Sequence, residues 1–245
     1  MTARVVEGLG FPAVATTSAG IAASLGYPDG ELIPSGDMLD MVSRIARAVD
    51  IPVTADMESG YGLEPMELAR RLVEAGAVGL NLEDGTHRGD EPLLDAEAHS
   101  ASIGGLKEGG RAAGVDLVVN ARVDVYLRAV GESGERFDET VRRATAYRKS
   151  GADCIFVPGV HEDEVIGALV RAIDAPLNVL AVPGTPPVAR LAELGVARIS
   201  LGSGPARASL TLFRRLAEEA RTRGTYGPVA SPETISHAAV NELLE

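Results

Sequence analysis

The stretch that decides the fold is Asp56-Met57-Glu58-Ser59-Gly60-Tyr61-Gly62. It follows Ile51-Pro52-Val53-Thr54-Ala55, a β-rich run bounded by a proline, so the acids stand where a strand ends. Gly60 and Gly62 let the backbone turn sharply. Pro65 then opens a helical pattern, Met66, Ala69, Leu72 and Val73, closed by Gly76. Strand, acidic turn, helix is the unit of a parallel α/β protein, and the turn lies on the face where active sites are built. Residues i and i+2 share one face of a strand, so Asp56 and Glu58 are expected to point the same way. Two adjacent carboxylates repel unless a cation lies between them, and Mg²⁺ suits carboxylate and water ligands. Alone, most such pairs are solvated polar turns; the rest of the chain changes the balance.

Outward from this stretch, short apolar runs alternate with helical patterns. The runs are Ala13 to Ser18, the strand into Asp56, Val78 to Leu82, Leu117 to Ala121, Cys154 to Val157, Pro176 to Leu180 and Ala197 to Leu201. Helical periodicity separates them, for example Met38, Met41, Val42, Ile45 and Val49. Asp138 is expected to cap one helix that stops at Gly151, and Ser231 with Pro232 to start the last. Seven strands alternating with helices mean a parallel sheet covered on both faces, and a closed (β/α) barrel suits that number of units. Residues 1–223 form the barrel and 224–245 a linker, Gly224 to Pro228, with a C-terminal helix.

Polar residues gather at the strand ends: Asp56 and Glu58, Glu83 and Asp84, Asn120 and Arg122, and Asn178. In a barrel these ends converge on one mouth, where acids beside an arginine make a cation site next to an anion site. Each residue also has a structural reading. Asp84 could cap a turn, Arg122 could pair with Asp124 or Glu83, and Asp29 in Gly26-Tyr27-Pro28-Asp29-Gly30 reads as a turn aspartate.

Composition narrows the function. With 23 Lys and Arg against 35 Asp and Glu the net charge is −12, and no basic stripe is present, which argues against a nucleic-acid surface. The lone Cys154, within an apolar run, reads as a buried hydrophobe in a protein of the reducing cytoplasm. No signal-peptide pattern and no apolar run of membrane-spanning length are found.

The chain resembles the isocitrate lyase/phosphoenolpyruvate mutase superfamily, in particular its smaller mutase-like branch. The resemblance is carried by Ala15-Thr16-Thr17-Ser18-Ala19-Gly20, Leu25-Gly26-Tyr27-Pro28-Asp29, Thr54 to Gly62, Asn81-Leu82-Glu83-Asp84, Asn120-Ala121-Arg122-Val123-Asp124, Ser150 to Gly159, Pro176-Leu177-Asn178-Val179 and Arg198 to Gly202. It implies a TIM-type (β/α) barrel with Mg²⁺ at its mouth, Mn²⁺ being the alternative ion. Asp56 matches the direct metal ligand. Asp29, Glu58 and Glu83 match acids that hold the ion largely through water. Thr17, Ser18, Ala19 and Gly20 match the segment whose N–H groups hold a substrate carboxylate. Arg122 matches the arginine on the bound 2-oxo acid, with Asn178 a further substrate residue and Arg122, Asp56 and Glu83 the catalytic group. The implied substrates are small 2-oxo or 2-hydroxy acids, cleaved at a C–C bond through an enolate; a phosphonomutase or another P–C bond enzyme is the alternative. A degenerate ligand-binding barrel is the third reading, and Gly202-Ser203-Gly204-Pro205 suggests a sugar- or nucleotide-phosphate barrel as a weak fourth.

Two departures from the superfamily pattern stand out. The lyases carry a catalytic cysteine in the loop after Glu-Asp, and mutases a lysine directly after it; here the loop is Gly85-Thr86-His87-Arg88-Gly89-Asp90-Glu91-Pro92. It is expected to be solvated and mobile, with His87 or Arg88 as the replacement candidates. The family also places a strand-helix unit before Gly10-Phe11-Pro12-Ala13-Val14, whereas Met1 falls within the first helix. The expectation is therefore a barrel lacking its first unit, through a truncated start or as a seven-stranded variant. Its open edges and the apolar stripe of Ile235, Ala238, Ala239 and Leu243 predict a homodimer or homotetramer in which the last helix is exchanged between subunits.

Overall fold

The apolar runs become seven parallel strands, hydrogen-bonded in chain order from first to last. The computed structural model describes residues 1–87, 90–231 and 233–243. The strands are β1 (Val14–Ala15), β2 (Val53–Asp56), β3 (Gly79–Glu83), β4 (Val118–Arg122), β5 (Cys154–Val157), β6 (Leu177–Leu180) and β7 (Arg198–Ser200). The helices are α1 (Thr2–Gly8), α2 (Ser18–Ser24), α3 (Ser35–Ala46), α4 (Pro65–Glu74), α5 (Ala96–Ala112), α6 (Arg136–Lys149), α7 (Asp163–Ala172), α8 (Val188–Leu194), α9 (Gly204–Arg223) and α10 (His237–Glu242).

Side chains alternate across this wall. Leu80, Leu82, Val119, Ala121, Ile155, Val157, Leu177 and Val179 join the apolar core with helix residues such as Leu68, Leu72, Ile103, Leu106 and Ile166. The residues between them meet one another instead. Asn120 Nδ2 donates to Asn81 Oδ1 at 2.7 Å, and Asn178 Nδ2 donates to Ser200 Oγ at 3.0 Å. Arg198 Nη2 on β7 reaches Thr54 Oγ1 on β2 at 3.4 Å, so the sheet is rolled until its last strand faces its second. This is a TIM-type (β/α) barrel. Among the described residues no ladder joins β7 to β1.

Close helix packing sets the positions of β2 and β3. A Cβ at Gly109 of α5 would lie 2.8 Å from Met66 Cα and 2.9 Å from Ala69 Cβ, so only glycine lets α4 approach that closely. Pro65 stands in the first turn of α4, where its missing N–H costs nothing.

Several expected boundaries move. Glu58 lies beyond β2 with φ +48°, so the shared-face reasoning for Asp56 and Glu58 fails: the chain has already left the strand. Ser18, Ala19 and Gly20 form the first turn of α2. Asp138 lies inside the first turn of α6, after an N-cap residue, Glu135, whose side chain makes no cap bond. The last helix is shorter than expected, with Ser236 as its cap, accepting from Ala239 N–H at 3.1 Å. Ile235 therefore precedes the helix and is 54 % exposed; Pro232 and Leu244 lie outside the described residues. α9 is 20 residues long and buries none of them, leaving Leu210, Leu212 and Phe213 exposed. No described helix is long and apolar enough to cross a membrane.

Candidate active site

The acidic turn hangs on the neighbouring strands. Thr16 Oγ1 accepts from Asp56 N–H at 2.9 Å, and Asp56 Oδ2 accepts from both the N–H and the hydroxyl of Ser18, each at 2.9 Å. Ser18 N–H, matched to the carboxylate-binding segment, is thus already committed to Asp56. Thr17 is the cap residue of α2 without a side-chain cap bond. Glu83 N–H donates to the Glu58 carbonyl at 2.8 Å, which brings the two acids together at the mouth.

Glu31, to which the sequence assigns no role, shapes the turn. Its Oε1 accepts from Ser59 N–H at 3.1 Å, Ser59 hydroxyl at 2.7 Å and Tyr61 N–H at 2.7 Å. Its own N–H donates to Glu58 Oε2 at 2.9 Å, and Tyr61 hydroxyl donates to Glu58 Oε1 at 2.6 Å. Glu31, Glu58 and Tyr61 all take positive φ, between +48° and +59°. No local pattern announces this, because Glu31 lies between α2 and α3 while its partners lie between β2 and α4. Asp29 is exposed nearby, close enough for its charge to act on Glu58.

His87 is anchored rather than solvated. Its Nε2 lies 2.8 Å from Glu83 Oε1 and 3.2 Å from Glu58 Oε2. The expectation of a mobile loop fails at this residue because two buried acids hold the imidazole; Arg88 lies outside the described residues. Burial pushes the Glu58 carboxyl up, and pushes Glu83 up to about 7 against the pull of His87 and Arg122. The hydrogen bond to Glu83 raises His87 in turn.

Arg122 pairs with both Glu83 and Asp124. Nη1 meets Glu83 Oε2 at 2.5 Å, and Nε and Nη2 meet Asp124 at 2.6 and 2.9 Å. Its guanidinium carbon lies 6.0 Å from the Phe156 ring centre. Burial opposes its charge, yet Glu83 and Asp124 hold it firmly protonated. Asn178 is wholly buried inside the wall with its amide on Ser200, deeper than a residue at the rim.

Asp84 points the other way, into the helix layer. It accepts from Tyr147 hydroxyl at 2.6 Å, Arg143 Nη1 at 3.1 Å and Asp124 N–H at 2.8 Å. The turn-capping reading is therefore replaced by a long-range one: Asp84 ties the end of β3 to α6 and to the chain after β4. Burial pushes its carboxyl up while Tyr147 pulls it down.

Among the described residues no three His, Cys, Asp or Glu side chains are already closed around a metal position. The donor set nonetheless fits a hard divalent ion bound largely through water. Asp56, Glu58 and Glu83 supply oxygen atoms, and two of the three are held above their ordinary range by burial that a cation would relieve.

Cys154 is buried in the barrel wall, and burial pushes its thiol up to about 11. At pH 8 it is therefore protonated and a poor nucleophile. The native protein is expected to resist thiol-specific labelling until unfolded. Cys154→Ser should keep its rate, and a loss beyond about a hundredfold, the scale of a general acid–base contribution, would overturn this reading.

Comparison with known proteins agrees with the geometry. The family model described as phosphoenolpyruvate phosphomutase matches residues 1–221. A protein of Burkholderia cenocepacia, provisionally assigned as a phosphonomutase, superposes with TM-score 0.83 and 42 % identity, covering 88 % of this chain and 89 % of that one. The chain belongs to the phosphoenolpyruvate mutase/isocitrate lyase superfamily. Within it, an uncharacterised protein of Mycobacterium tuberculosis is 37 % identical over 82 % of this chain and 73 % of its own length. An oxaloacetate decarboxylase of Rhodopseudomonas palustris is 30 % identical over 99 % of this chain and 82 % of its own. Lyases and mutases thus both occur among the relatives of this superfamily barrel.

Proposed function

We propose that this chain is a Mg²⁺-dependent enzyme, with Mn²⁺ as the alternative ion, that cleaves a C–C bond beside the oxygenated carbon of a small 2-oxo or 2-hydroxy acid. The observation that carries this reading is one barrel mouth where Asp56, Glu58 and Glu83 stand opposite the guanidinium of Arg122. Asp56 would hold the ion directly, with Asp29, Glu58 and Glu83 acting through its water ligands. When bound, the ion supplies Lewis acidity that polarises the 2-oxo oxygen and favours an enolate. Arg122, oriented by Glu83 and Asp124, keeps one N–H on each terminal nitrogen without a partner among the described residues, and these would meet the substrate carboxylate. The segment Thr17 to Gly20 borders the same pocket with the N–H groups that Ser18 does not use. Asn178 would act from below, by ordering the wall.

A phosphonomutase is the second reading, favoured by the 42 % identical neighbour. Against it stands Gly85, where the mutase branch has lysine. The discriminating experiment is a single panel with Mg²⁺ and with Mn²⁺: oxaloacetate, isocitrate, 2-methylisocitrate, phosphonopyruvate and phosphoenolpyruvate. Turnover of a C–C substrate is expected. Turnover of phosphonopyruvate or phosphoenolpyruvate alone would establish a P–C bond enzyme, a mutase if each is converted into the other, and binding without any turnover would leave a ligand-binding barrel.

The same reading includes a cytoplasmic homodimer or homotetramer. α9 leaves Leu210, Leu212 and Phe213 exposed, an apolar face of the kind that marks an interface. The C-terminal segment after Gly224 is proposed to pack with it on a neighbouring subunit. Removing residues 229–245 should lower the mass seen by light scattering or cause aggregation. An unchanged, equally stable oligomer would refute the exchange.

A further inference from the structure

Three of the four non-glycine residues with positive φ among the described residues, Glu31, Glu58 and Tyr61, stand in one ring of hydrogen bonds. Glu31 N–H donates to Glu58 Oε2 at 2.9 Å, and Tyr61 hydroxyl donates to Glu58 Oε1 at 2.6 Å. Tyr61 N–H closes the ring on Glu31 Oε1 at 2.7 Å. Ser59 adds its N–H and its hydroxyl to the same Glu31 oxygen, at 3.1 and 2.7 Å. The left-handed region is costly for a residue with a Cβ, so backbone kept there must be fixed by its surroundings. The Glu31 carboxylate supplies that constraint, because one of its oxygens gathers three donors of the turn after β2.

The segment that carries Glu31 is itself tied down on both flanks. Ile33 is buried in the apolar core, and a Cβ at Gly30 would lie 3.2 Å from His87 Nδ1. Both oxygens of Glu58 are thus aimed by groups that depend on Glu31, one by its backbone N–H and the other through Tyr61. Without the carboxylate, the N–H groups of Ser59 and Tyr61 lose their acceptor, the turn is free to leave its left-handed conformations, and Glu58 moves with it.

We propose that Glu31 is a positioning residue for the divalent ion: it touches neither ion nor substrate, and it keeps Glu58 at the mouth by clamping the Ser59–Tyr61 turn. This rests on the reading of Asp56, Glu58 and Glu83 as the oxygen donors around the ion.

The test is calorimetric titration of the full chain with Mg²⁺ and with Mn²⁺, paired with thermal melts. Glu31→Ala is expected to weaken both ions by about tenfold, the scale of groups that orient metal-binding side chains. Glu31→Gln keeps an accepting Oε1 and should stay within about threefold of the unaltered protein. Glu31→Gly removes the carboxylate but relieves the positive φ. It should therefore melt closer to the unaltered protein than Glu31→Ala does, and yet bind the ions as weakly. In a Glu58→Ala background, Glu31→Ala should weaken the ions by less than about twofold further, because residues acting along one route do not add. Unchanged affinity in Glu31→Ala or Glu31→Gly would overturn the assignment. So would a Glu31→Gln variant as weak as Glu31→Ala, which would make charge the contribution, or an undiminished loss in the absence of Glu58. Failure of the unaltered chain to bind either ion would overturn the metal reading itself, and the role of Glu31 with it.

Discussion

Asp56→Ala is expected to abolish Mg²⁺ binding and to lower metal-dependent turnover by about 10³-fold, since a bound Lewis acid contributes several kcal/mol to the transition state. The barrel should survive, because Asp56 belongs to the mouth and not to the apolar core. The substitution also frees the N–H and hydroxyl of Ser18, each 2.9 Å from the lost oxygen, so a modest fall in stability belongs to the prediction. Asp56→Asn separates the two effects, as it leaves an oxygen for Ser18 and removes the charge. Both variants should lose the ion in a calorimetric titration, while Asn stays closer to the unaltered protein in melting temperature. Glu58→Ala and Glu83→Ala should weaken the ion less, because their contacts run through water. Unchanged Mg²⁺ affinity in Asp56→Asn would remove the metal assignment at its root.

Asp84→Ala should be the most damaging single change to stability near the site, at about 3–5 kcal/mol. Asp84 has no exposed surface and gathers Tyr147 hydroxyl, Arg143 Nη1 and Asp124 N–H. Removing it leaves a mostly buried guanidinium with Glu139 as its one charged partner among the described residues, and strands a buried N–H on Asp124. For a chain of this length, a loss of that size lowers the melting temperature by roughly 10 °C. Asp84→Asn keeps an acceptor and should lose less. Activity should fall as well, since Asp124 orients Arg122 through bonds of 2.6 and 2.9 Å. A thermal melt of Asp84→Ala within about 2 °C of the unaltered protein would show that the network is not holding β3 to β4.

The period and order of the apolar runs were enough to place a parallel barrel, because a strand buried on both faces is written locally as a short apolar stretch. Asp56, Glu83 and Arg122 were legible for the same reason: a polar residue closing an apolar run stands at the end of its strand, although packing decides which layer it faces. Glycine and proline marked the turns, though less well at the C-terminus, where the cap proved to be Ser236 and not Ser231. The roles of paired residues were not legible. Glu31 acts on Ser59 and Tyr61, Asp84 on Arg143 and Tyr147, and His87 on Glu58, in each case across elements far apart in the chain. No sequence period relates such partners; they meet only when the strand ends and the helices around them are packed together. Glu83 and Asp84 are adjacent in the chain and alike in chemistry. Strand alternation turns one toward Arg122 and the other toward Tyr147, and only the bonds of Arg143 and Tyr147 on α6 to Asp84 decide that the first belongs to the site and the second to the frame.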